Sequence, residues 1–408
     1  MSGIETDQTR ISQRDLRIRS EVFGDYQRCH RQYSTAMQQV DATDEGDDYS
    51  IRAGGSGDRE AFLSLYESVW GRSKSAAWFD WRFVDNPFTD RVELVIAECA
   101  GRVVGAEPLL ALPLATPAGT VPVRQPVDWI VHSDHRQCGL FTRMTEQLLS
   151  TTAERAELLF NFPSDALRPG LQKFDWTEVA SVPMRYRVQN AAGISASLTD
   201  DDHDTSVLTR AATPAVRAVL AVADRLTSSM ADVSAQRVDG TATHAIRSVY
   251  TETRPDTVHV PRTTTYLDWR FANPRWDVAT YVARRGGRPV ATLVVGRETV
   301  DGTEKALLLD VQPMTTDPER APAFAAALDA ALADLADVDV VTAPARVFPG
   351  VLRHRGFLRD DSFPLARFAT TTTHVVRPLP DPTDTSGFDA DVFDADAWTL
   401  MLADLDVE

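Results

Sequence analysis

The residues most informative about the fold are Asp128–Met144, which read DWIVHSDHRQCGLFTRM. A short apolar run at Trp129–Val131 predicts a strand, a polar turn comes after it, and a helix over about 142–154 comes after the turn. The first backbone N–H groups of a helix have no partner within the helix, and they carry the positive end of its dipole. The segment therefore predicts a diphosphate site at the start of the helix.

Two residues of the turn support this prediction. Gly139 has no Cβ, so the backbone can come close to a bound group. Arg136 adds positive charge at the same place. An anionic ligand is therefore the expected occupant of the turn.

Beyond this segment, the chain contains an internal repeat. FDWRF at 79–83 precedes Asn-Pro at 86–87, and LDWRF at 267–271 precedes Asn-Pro at 273–274. Each copy is followed by strands around glycine turns, a strand that contains Asp, a helix and a further apolar strand. In the second half the helix is predicted over about 319–336. The pattern predicts a duplicated domain.

The repeat fixes the predicted domain organisation. We expect a polar, poorly ordered tail over 1–47, a first domain over 48–192, a linker over 193–207, a second domain over 208–378, and an acidic tail with a docking segment over 379–408. The order of elements predicts an α+β fold, in which each domain is a mixed, mostly antiparallel sheet flanked by helices.

The turn and its place in the element order resemble those of the GNAT superfamily of acyl-CoA-dependent N-acetyltransferases. The signature Arg/Gln-x-x-Gly-x-Gly/Ala is matched by Arg136, Gly139 and, with a departure, Phe141. The resemblance implies acetyl-CoA or another acyl-CoA as co-substrate, and no metal. It implies that a backbone N–H near Ile130 or Val131 polarises the thioester carbonyl. The residues that it assigns to the coenzyme diphosphate are Arg136, Gln137, Cys138, Gly139, Leu140, Phe141 and Thr142.

The chain departs from the family pattern at several positions. Phe141 stands where the family prefers Gly or Ala, Leu171 where it often has an acid Tyr, and Ser164 where Asn is usual. The second half reads QPMTTDP over 312–318, with proline and without the glycine. Because proline has no amide donor, we expect the second domain not to bind coenzyme A.

Several side chains near the turn allow two interpretations. Asp128 is a candidate general base, but its counterpart Asp310 in the degenerate half favours a structural role for both. We interpret His132 and His135 as exposed turn residues rather than as proton shuttles. Cys138 is interpreted as a residue of the cofactor loop rather than a nucleophile.

The repeated Asp-Trp-Arg-Phe allows a choice of the same kind. We interpret it as a structural motif. Its aromatic rings lie in the core, and its Asp and Arg side chains form ion pairs or cap helices. The alternative places Trp81 or Arg82 in a substrate pocket.

Composition excludes several classes of function. The net charge is −17, and the chain has only three lysines, at positions 74, 173 and 305. Such a surface argues against binding to nucleic acid or anionic membranes. It is typical of proteins of salt-loving archaea, although a GC-rich genome also exchanges Lys for Arg. Three scattered cysteines support neither a disulfide framework nor a zinc site. Without a long apolar run or a signal peptide, the expected location is the cytoplasm.

The resulting functional prediction is transfer of an acetyl or other acyl group from acyl-CoA to an amine by direct attack. The acceptor is a small molecule or a peptide, and the chain is either a monomer with an internal pseudo-dimer or a homodimer. Two alternatives stay open: a Fem-type aminoacyl transferase that uses aminoacyl-tRNA, and a non-catalytic binding protein with the same fold.

Overall fold

The computed structural model describes residues 49–190, 232–300, 302–363, 365–367 and 372–406. The predicted tail over 1–47 and the predicted linker over 193–207 lie outside these residues. No helix among those described is long and apolar enough to cross a membrane.

The described chain up to Val182 contributes seven strands and four helices. Its strands are β1 Tyr49–Ala53, β2 Glu93–Cys99, β3 Arg102–Thr116, β4 Gly119–Pro126, β5 Ile130–Val131, β6 Leu158–Asn161 and β7 Thr177–Val182. Its helices are α1 Arg59–Trp70, α2 Ala76–Phe79, α3 Leu140–Thr152 and α4 Arg168–Gln172, and a π-helical turn, Asp80–Val84, continues α2.

The rest of the chain contributes eight strands and four helices among the described residues. Its strands are β8 Met184–Val188, β9 Val233–Asp239, β10 Asp277–Arg285, β11 Arg288–Val300, β12 Thr303–Gln312, β13 Val340–Pro344, β14 Leu358–Arg359 and β15 Thr372–Pro378. Its helices are α5 Thr243–Glu252, α6 Thr264–Arg270, α7 Ala321–Asp334 and α8 Pro349–His354.

The strands form two sheets that exchange one strand each. The first sheet has the order β1-β2-β3-β4-β6-β15-β7, with β5 paired to β3, and the second has the order β14-β8-β13-β12-β11-β10-β9. The predicted limits of 48–192 and 208–378 place β8 with the first domain and β15 with the second, and the sheets have the opposite membership. An apolar strand pattern defines a strand but does not specify its neighbour, so the sequence did not show the exchange.

The predicted fold class is confirmed. The ladders are antiparallel apart from β4 with β6 and β12 with β13, among the strands described above. Helices cover both sheets, and the buried side chains of the described residues form three apolar clusters.

Helix α3 packs on the first sheet through a single apolar stripe. Leu140, Met144 and Leu148 recur every four residues, and each is at most 2% exposed. Gly105 on β3 makes room for this helix, because a Cβ at that position would lie 3.0 Å from the Met144 methyl carbon. The close packing fixes the position of the helix start relative to the sheet.

The two copies of the repeated motif meet between the domains. The Trp81 indole N–H donates to the Trp269 carbonyl at 2.7 Å, and the Trp269 indole donates to the Trp81 carbonyl at 2.8 Å. The two rings are stacked with centroids 5.9 Å apart. In the same motifs Asp80 binds Arg59, and Asp268 accepts from the Thr243 hydroxyl. The motif thus joins the two halves about a local pseudo-twofold axis.

The C-terminal segment, residues 388–406, lies between the two domains. Trp398 and Leu402 belong to the cluster shared with the first sheet, and Met401 belongs to the core of the second. The backbone of Val258 bonds to Ala397 and Thr399 on either side of Trp398. The segment therefore contacts both cores before it reaches the first domain at Asp406.

Candidate active site

A cleft opens in the first sheet where β4 and β6 part. The two strands pair in parallel only at Val123 with Leu158 and at Arg124 with Leu159. On its other edge β6 pairs with β15 along its whole length, through Asn161 with Val375, while the chain after β4 bends and re-pairs with β3 as β5. We call the gap between residues 127–131 and β6 the cleft.

The predicted strand residues differ in how they face the cleft. Ile130 is 1% exposed and packs in the core. The His132 amide donates to Val104 on β3 at 2.9 Å. Because bonding groups alternate along an antiparallel ladder, the N–H and C=O of Val131 point away from β3, towards the cleft. Of the two predicted oxyanion donors, Val131 has the suitable direction.

The turn after β5 ends in open backbone donors. Gln137 and Gly139 have φ of +65° and +70°, so the chain twists twice before α3 begins. No side chain caps the helix. Within the described residues, the N–H groups of Gly139, Leu140, Phe141 and Thr142 donate to no carbonyl or side chain. Together with the helix dipole, these donors make the turn an anion site.

The Arg136 side chain turns back towards the strand. Its Nε donates to the Val131 carbonyl at 3.1 Å. This hydrogen bond holds the guanidinium beside the end of β5.

Tyr49, at the start of β1, also contacts the turn. Its hydroxyl lies 3.0 Å from His135 Nδ1 and 3.6 Å from Cys138 Sγ, and its carbonyl accepts from Arg143 on α3. The His132 ring accepts from the Asp134 amide. The sequence did not indicate Tyr49, because 86 residues separate it from His135 and no motif contains it.

Phe141 packs against the protein and not over the open donors. Its ring meets Trp129 and Phe174 with centroids 5.8 and 6.1 Å apart. A large residue is therefore accommodated at this motif position. Leu171, at the position where the family often has an acid tyrosine, is 1% exposed in the core, and the Ser164 hydroxyl accepts from the Leu167 amide.

A carboxylate–arginine–carboxylate group lies beside the cleft. Arg82 Nη2 is 3.3 Å from Asp128 and 2.5 Å from Asp406. Arg82 is buried, whereas Asp128 and Asp406 keep 14% and 22% exposure of their side chains. Burial, and then the Asp128 charge, raise the pKa of nearby Tyr66. The sequence did not predict this group, because Arg82 and Asp406 lie 324 positions apart.

In the second half, the counterparts of the open start of α3 and of the carboxylate–arginine–carboxylate group are both closed. At the start of α7, the amides of Arg320, Ala321 and Ala323 are bound to carbonyls of the preceding turn, and Pro322 has no N–H. Asp310 is fully buried and binds Arg262 at 2.7 Å. In the described part of this half, no open row of donors like that of α3 is present.

Metal binding has no support in the described residues, because they contain no group of three His, Cys, Asp or Glu side chains that could hold an ion. The groups present at the site are backbone donors, one arginine and carboxylates.

Comparisons with known proteins agree with this architecture. Residues 50–179 match the family model described as an acetyltransferase (GNAT) domain. No curated protein matches the chain. Solved structures match over most of its length at low identity.

A GCN5-related N-acetyltransferase from Anabaena variabilis is 10% identical with a TM-score of 0.54, and the match covers 81% of this chain and 73% of that one. A probable N-acyltransferase from Enterococcus faecalis is 9% identical with a TM-score of 0.55, over 82% and 73%. A tandem GNAT protein from the clavulanic acid biosynthesis pathway is 12% identical with a TM-score of 0.52, over 81% and 98%. At these identities the likeness shows the fold alone, which is that of two GNAT-like domains.

Proposed function

We propose that this chain is an acyltransferase that moves an acetyl or other acyl group from acyl-CoA to an amine at the cleft of its first domain. The observation that supports this most strongly is the row of four backbone donors at the start of α3 that have no partner in the described part of the chain, close after a strand whose Val131 N–H faces the cleft. A diphosphate and a thioester carbonyl are the groups that such donors bind best.

The start of α3, the turn before it and the cleft supply the proposed ligand contacts. The amides of Gly139, Leu140, Phe141 and Thr142 hold the diphosphate, and Arg136 supports its charge. Gln137 and Cys138 lie beside it, and both residues are exposed. The thioester lies in the cleft, where the Val131 N–H donates to its carbonyl oxygen.

The proposed reaction is a direct transfer. The amine nitrogen forms a bond to the thioester carbonyl carbon, and the negative charge on the oxygen is stabilised by the backbone donor. The C–S bond then breaks, the acyl group stays on nitrogen as an amide, and coenzyme A leaves as the thiol. The proton that the amine loses balances the one that the thiolate gains.

Asp128 is the proposed proton acceptor. It is a carboxylate at the cleft that retains access to solvent beside a buried partner. If it accepts the proton, Asp128→Asn lowers kcat by about 100-fold or more and leaves acetyl-CoA affinity unchanged. If it only positions Arg82, kcat changes little, and a pH–rate profile that keeps its acidic limb identifies that case.

Calorimetry with acetyl-CoA at high salt tests the placement of the site. We expect the wild type to bind one equivalent, because α3 has open donors and its counterpart α7 does not. We expect Gly139→Trp to lose binding. The left-handed φ of +70° makes this substitution strained, so Gly240→Trp, at φ +74° in the second domain and also facing open space, is the matched control. Equal binding by the Gly139 and Gly240 variants would refute the site.

If acetyl-CoA binds, release of free thiol with a set of amines tests the transfer. Binding without thiol release for any amine supports a non-catalytic protein. The second domain, in this proposal, shapes the acceptor side and stabilises the first.

A further inference from the structure

The C-terminal segment brings a carboxylate from the end of the chain to the cleft of the first domain. Asp406 accepts a hydrogen bond from Arg82 Nη2 at 2.5 Å, and the same nitrogen lies 3.3 Å from the Asp128 carboxylate. Asp128 belongs to residues 127–131, which form one side of the cleft. A single arginine nitrogen therefore contacts both the proposed proton acceptor and Asp406.

The second domain fixes the backbone before Asp406. Arg270, on α6, is the counterpart of Arg82 in the repeat. Its Nε donates to the Ala403 carbonyl at 2.7 Å, and its Nη2 donates to the Leu405 carbonyl at 3.3 Å. Because Arg270 is 2% exposed, these bonds form away from competing water. One arginine of the repeat thus directs the end of the chain towards the other.

Asp404 connects the same stretch to both halves. Its carbonyl accepts from the Gln125 side chain on β4 at 3.3 Å, and its carboxylate binds Arg262 at 2.8 Å. Gln125 is buried and lies shortly before Asp128 in the chain. The stretch next to Asp406 therefore has a fixed position beside the strand that leads into the cleft.

Aromatic rings hold Arg82 in place independently of Asp406. The guanidinium carbon lies 5.4 Å from the Trp78 ring centroid and 5.7 Å from the Phe83 ring centroid. The Arg82 side chain is 1% exposed, so it has little room to turn away. Removal of the Asp406 charge would therefore leave the guanidinium beside Asp128.

The charge of Arg82 is divided between two carboxylates. With both carboxylates ionised, the group of Arg82, Asp128 and Asp406 has a net negative charge, and a proton on Asp128 neutralises it. Without the Asp406 charge, the same proton would leave the guanidinium uncompensated. A neighbouring guanidinium stabilises an ionised carboxylate, and a second carboxylate destabilises it. Asp406 therefore makes Asp128 a stronger base.

Other titratable side chains face this group from the α1 side. Burial, and then the Asp128 charge, raise the pKa of Tyr66, so its hydroxyl stays neutral at pH 7. Arg72, whose charge acts on the same hydroxyl, is exposed, and Lys74 lies 5.6 Å from the Tyr66 ring centroid. Variants that retain all three side chains therefore isolate the effect of the Asp406 charge.

We propose that Asp406 is a positioning residue for the proposed reaction: by sharing the Arg82 charge with Asp128, it keeps Asp128 basic enough to accept the amine proton. The proposal rests on the proposed function for the reaction itself. The effect of Asp406 on Asp128 is measurable without acetyl-CoA.

Asp406→Asn removes the charge and retains the size of the side chain. We expect the pKa of Asp128 to fall in this variant, because the Arg82 charge then acts on Asp128 without a second carboxylate. Carbon-13 carboxyl NMR of aspartate-labelled protein measures this pKa, and the Asp128 signal is assigned by its loss in Asp128→Asn. An Asp128 pKa that stays in place in Asp406→Asn would overturn the proposal.

Asp396→Asn is the matched control. Asp396 lies in the same segment, its side chain is 92% exposed, and it is 3.6 Å from Arg346 at the surface. The variant makes the same change of charge away from the cleft, so we expect the pKa of Asp128 to stay unchanged. An equal fall in the Asp396 and Asp406 variants would contradict the proposal.

Thiol release with an accepted amine tests the consequence for the reaction. We expect Asp406→Asn to lower kcat about 3- to 10-fold, because a weaker base accepts the proton less readily. The KM for acetyl-CoA should stay unchanged, and the acidic limb of the pH–rate profile should move to lower pH. A lower kcat with an unmoved acidic limb would indicate a general structural loss and would count against the proposal.

The double variant with Arg82→Met tests whether Asp406 acts through the arginine. In that background there is no guanidinium to share, so Asp406→Asn should lower the pKa of Asp128 by less than about half of its effect in the wild type. Equal effects in both backgrounds would exclude the route through Arg82. If no amine gives thiol release while the NMR results hold, the proposed reaction is wrong and the effect of Asp406 on Asp128 stands.

Discussion

The two halves of the molecule contain similar ionic arrangements in opposite environments, although the repeat counterpart of Arg82 is Arg270 and not Arg262. In the first, Arg82 lies between Asp128 and Asp406, and both carboxylates keep contact with solvent. In the second, an arginine again lies between a strand carboxylate and one from the C-terminal segment. The first arrangement is open beside a cleft, whereas the second is closed.

The closed arrangement is held by many bonds. Arg262 binds Asp310 at 2.7 Å and Asp404 at 2.8 Å, and all three side chains are fully buried. The Tyr266 hydroxyl donates to Asp404, and the Gln312 amide donates to Asp310. A network with these partners fixes the C-terminal segment against β12 and leaves no room for a ligand. The triad in the second half therefore supports structure, whereas the one in the first half lies open beside the cleft.

The largest expected effect comes from removing each arginine. Arg262→Met leaves two carboxylates buried without their countercharge, so we expect the free energy of unfolding to fall by about 3–5 kcal/mol. Arg82→Met leaves carboxylates that reach water, so we expect a loss of about 1–2 kcal/mol. Urea unfolding at pH 7 measures both.

Arg297→Met is the control for these two variants. Arg297 pairs with Asp337 at the surface, where the two side chains are 29% and 66% exposed. Its removal should cost under about 1 kcal/mol. Equal losses for Arg262→Met and Arg82→Met would erase the distinction between a closed and an open half.

The fold could be predicted from the sequence because its signals are local. The repeat around Trp81 and Trp269, the strand before Gly139 and the apolar stripe of α3 each lie within a short stretch of chain. The strand exchange could not be predicted, because the patterns of β8 and β15 fit either sheet. The group around Arg82 could not be predicted either, since its members come from distant segments that only folding brings together.

The paired tryptophans test the pseudo-twofold relation between the halves. Each indole donates to the other's backbone, so Trp81→Phe and Trp269→Phe should each lose one hydrogen bond and some packing. We expect losses of about 2–3 kcal/mol in the free energy of unfolding, equal within error. The double variant should cost less than the sum, because the first change already disturbs the stack. Strongly unequal single losses would show that the contact is not symmetric in energy.

Two buried histidines, one in each half, differ in how many hydrogen bonds their rings make. Burial lowers the pKa of His374 in the first sheet to about 3 and that of His259 in the second half to about 4. His259 has both nitrogens bound, to the Tyr250 hydroxyl and the Thr257 carbonyl. His374 differs, because its Nε2 has no partner among the described residues. At pH 7 we therefore expect His259→Phe to destabilise the protein more than His374→Phe does.

Both histidines make the free energy of unfolding fall as the pH falls, by a modest amount. Below the ordinary histidine pKa of 6.5 the unfolded chain gains a proton on each histidine and the folded chain does not, so stability falls as the pH falls. Between about pH 6.5 and pH 5 each histidine contributes about 1.5 kcal/mol to that fall. His374→Phe should reduce the fall by this amount, as measured by urea unfolding at the two pH values. An unchanged fall would mean that the folded protein protonates His374 readily, and it would contradict the lowered pKa of this residue.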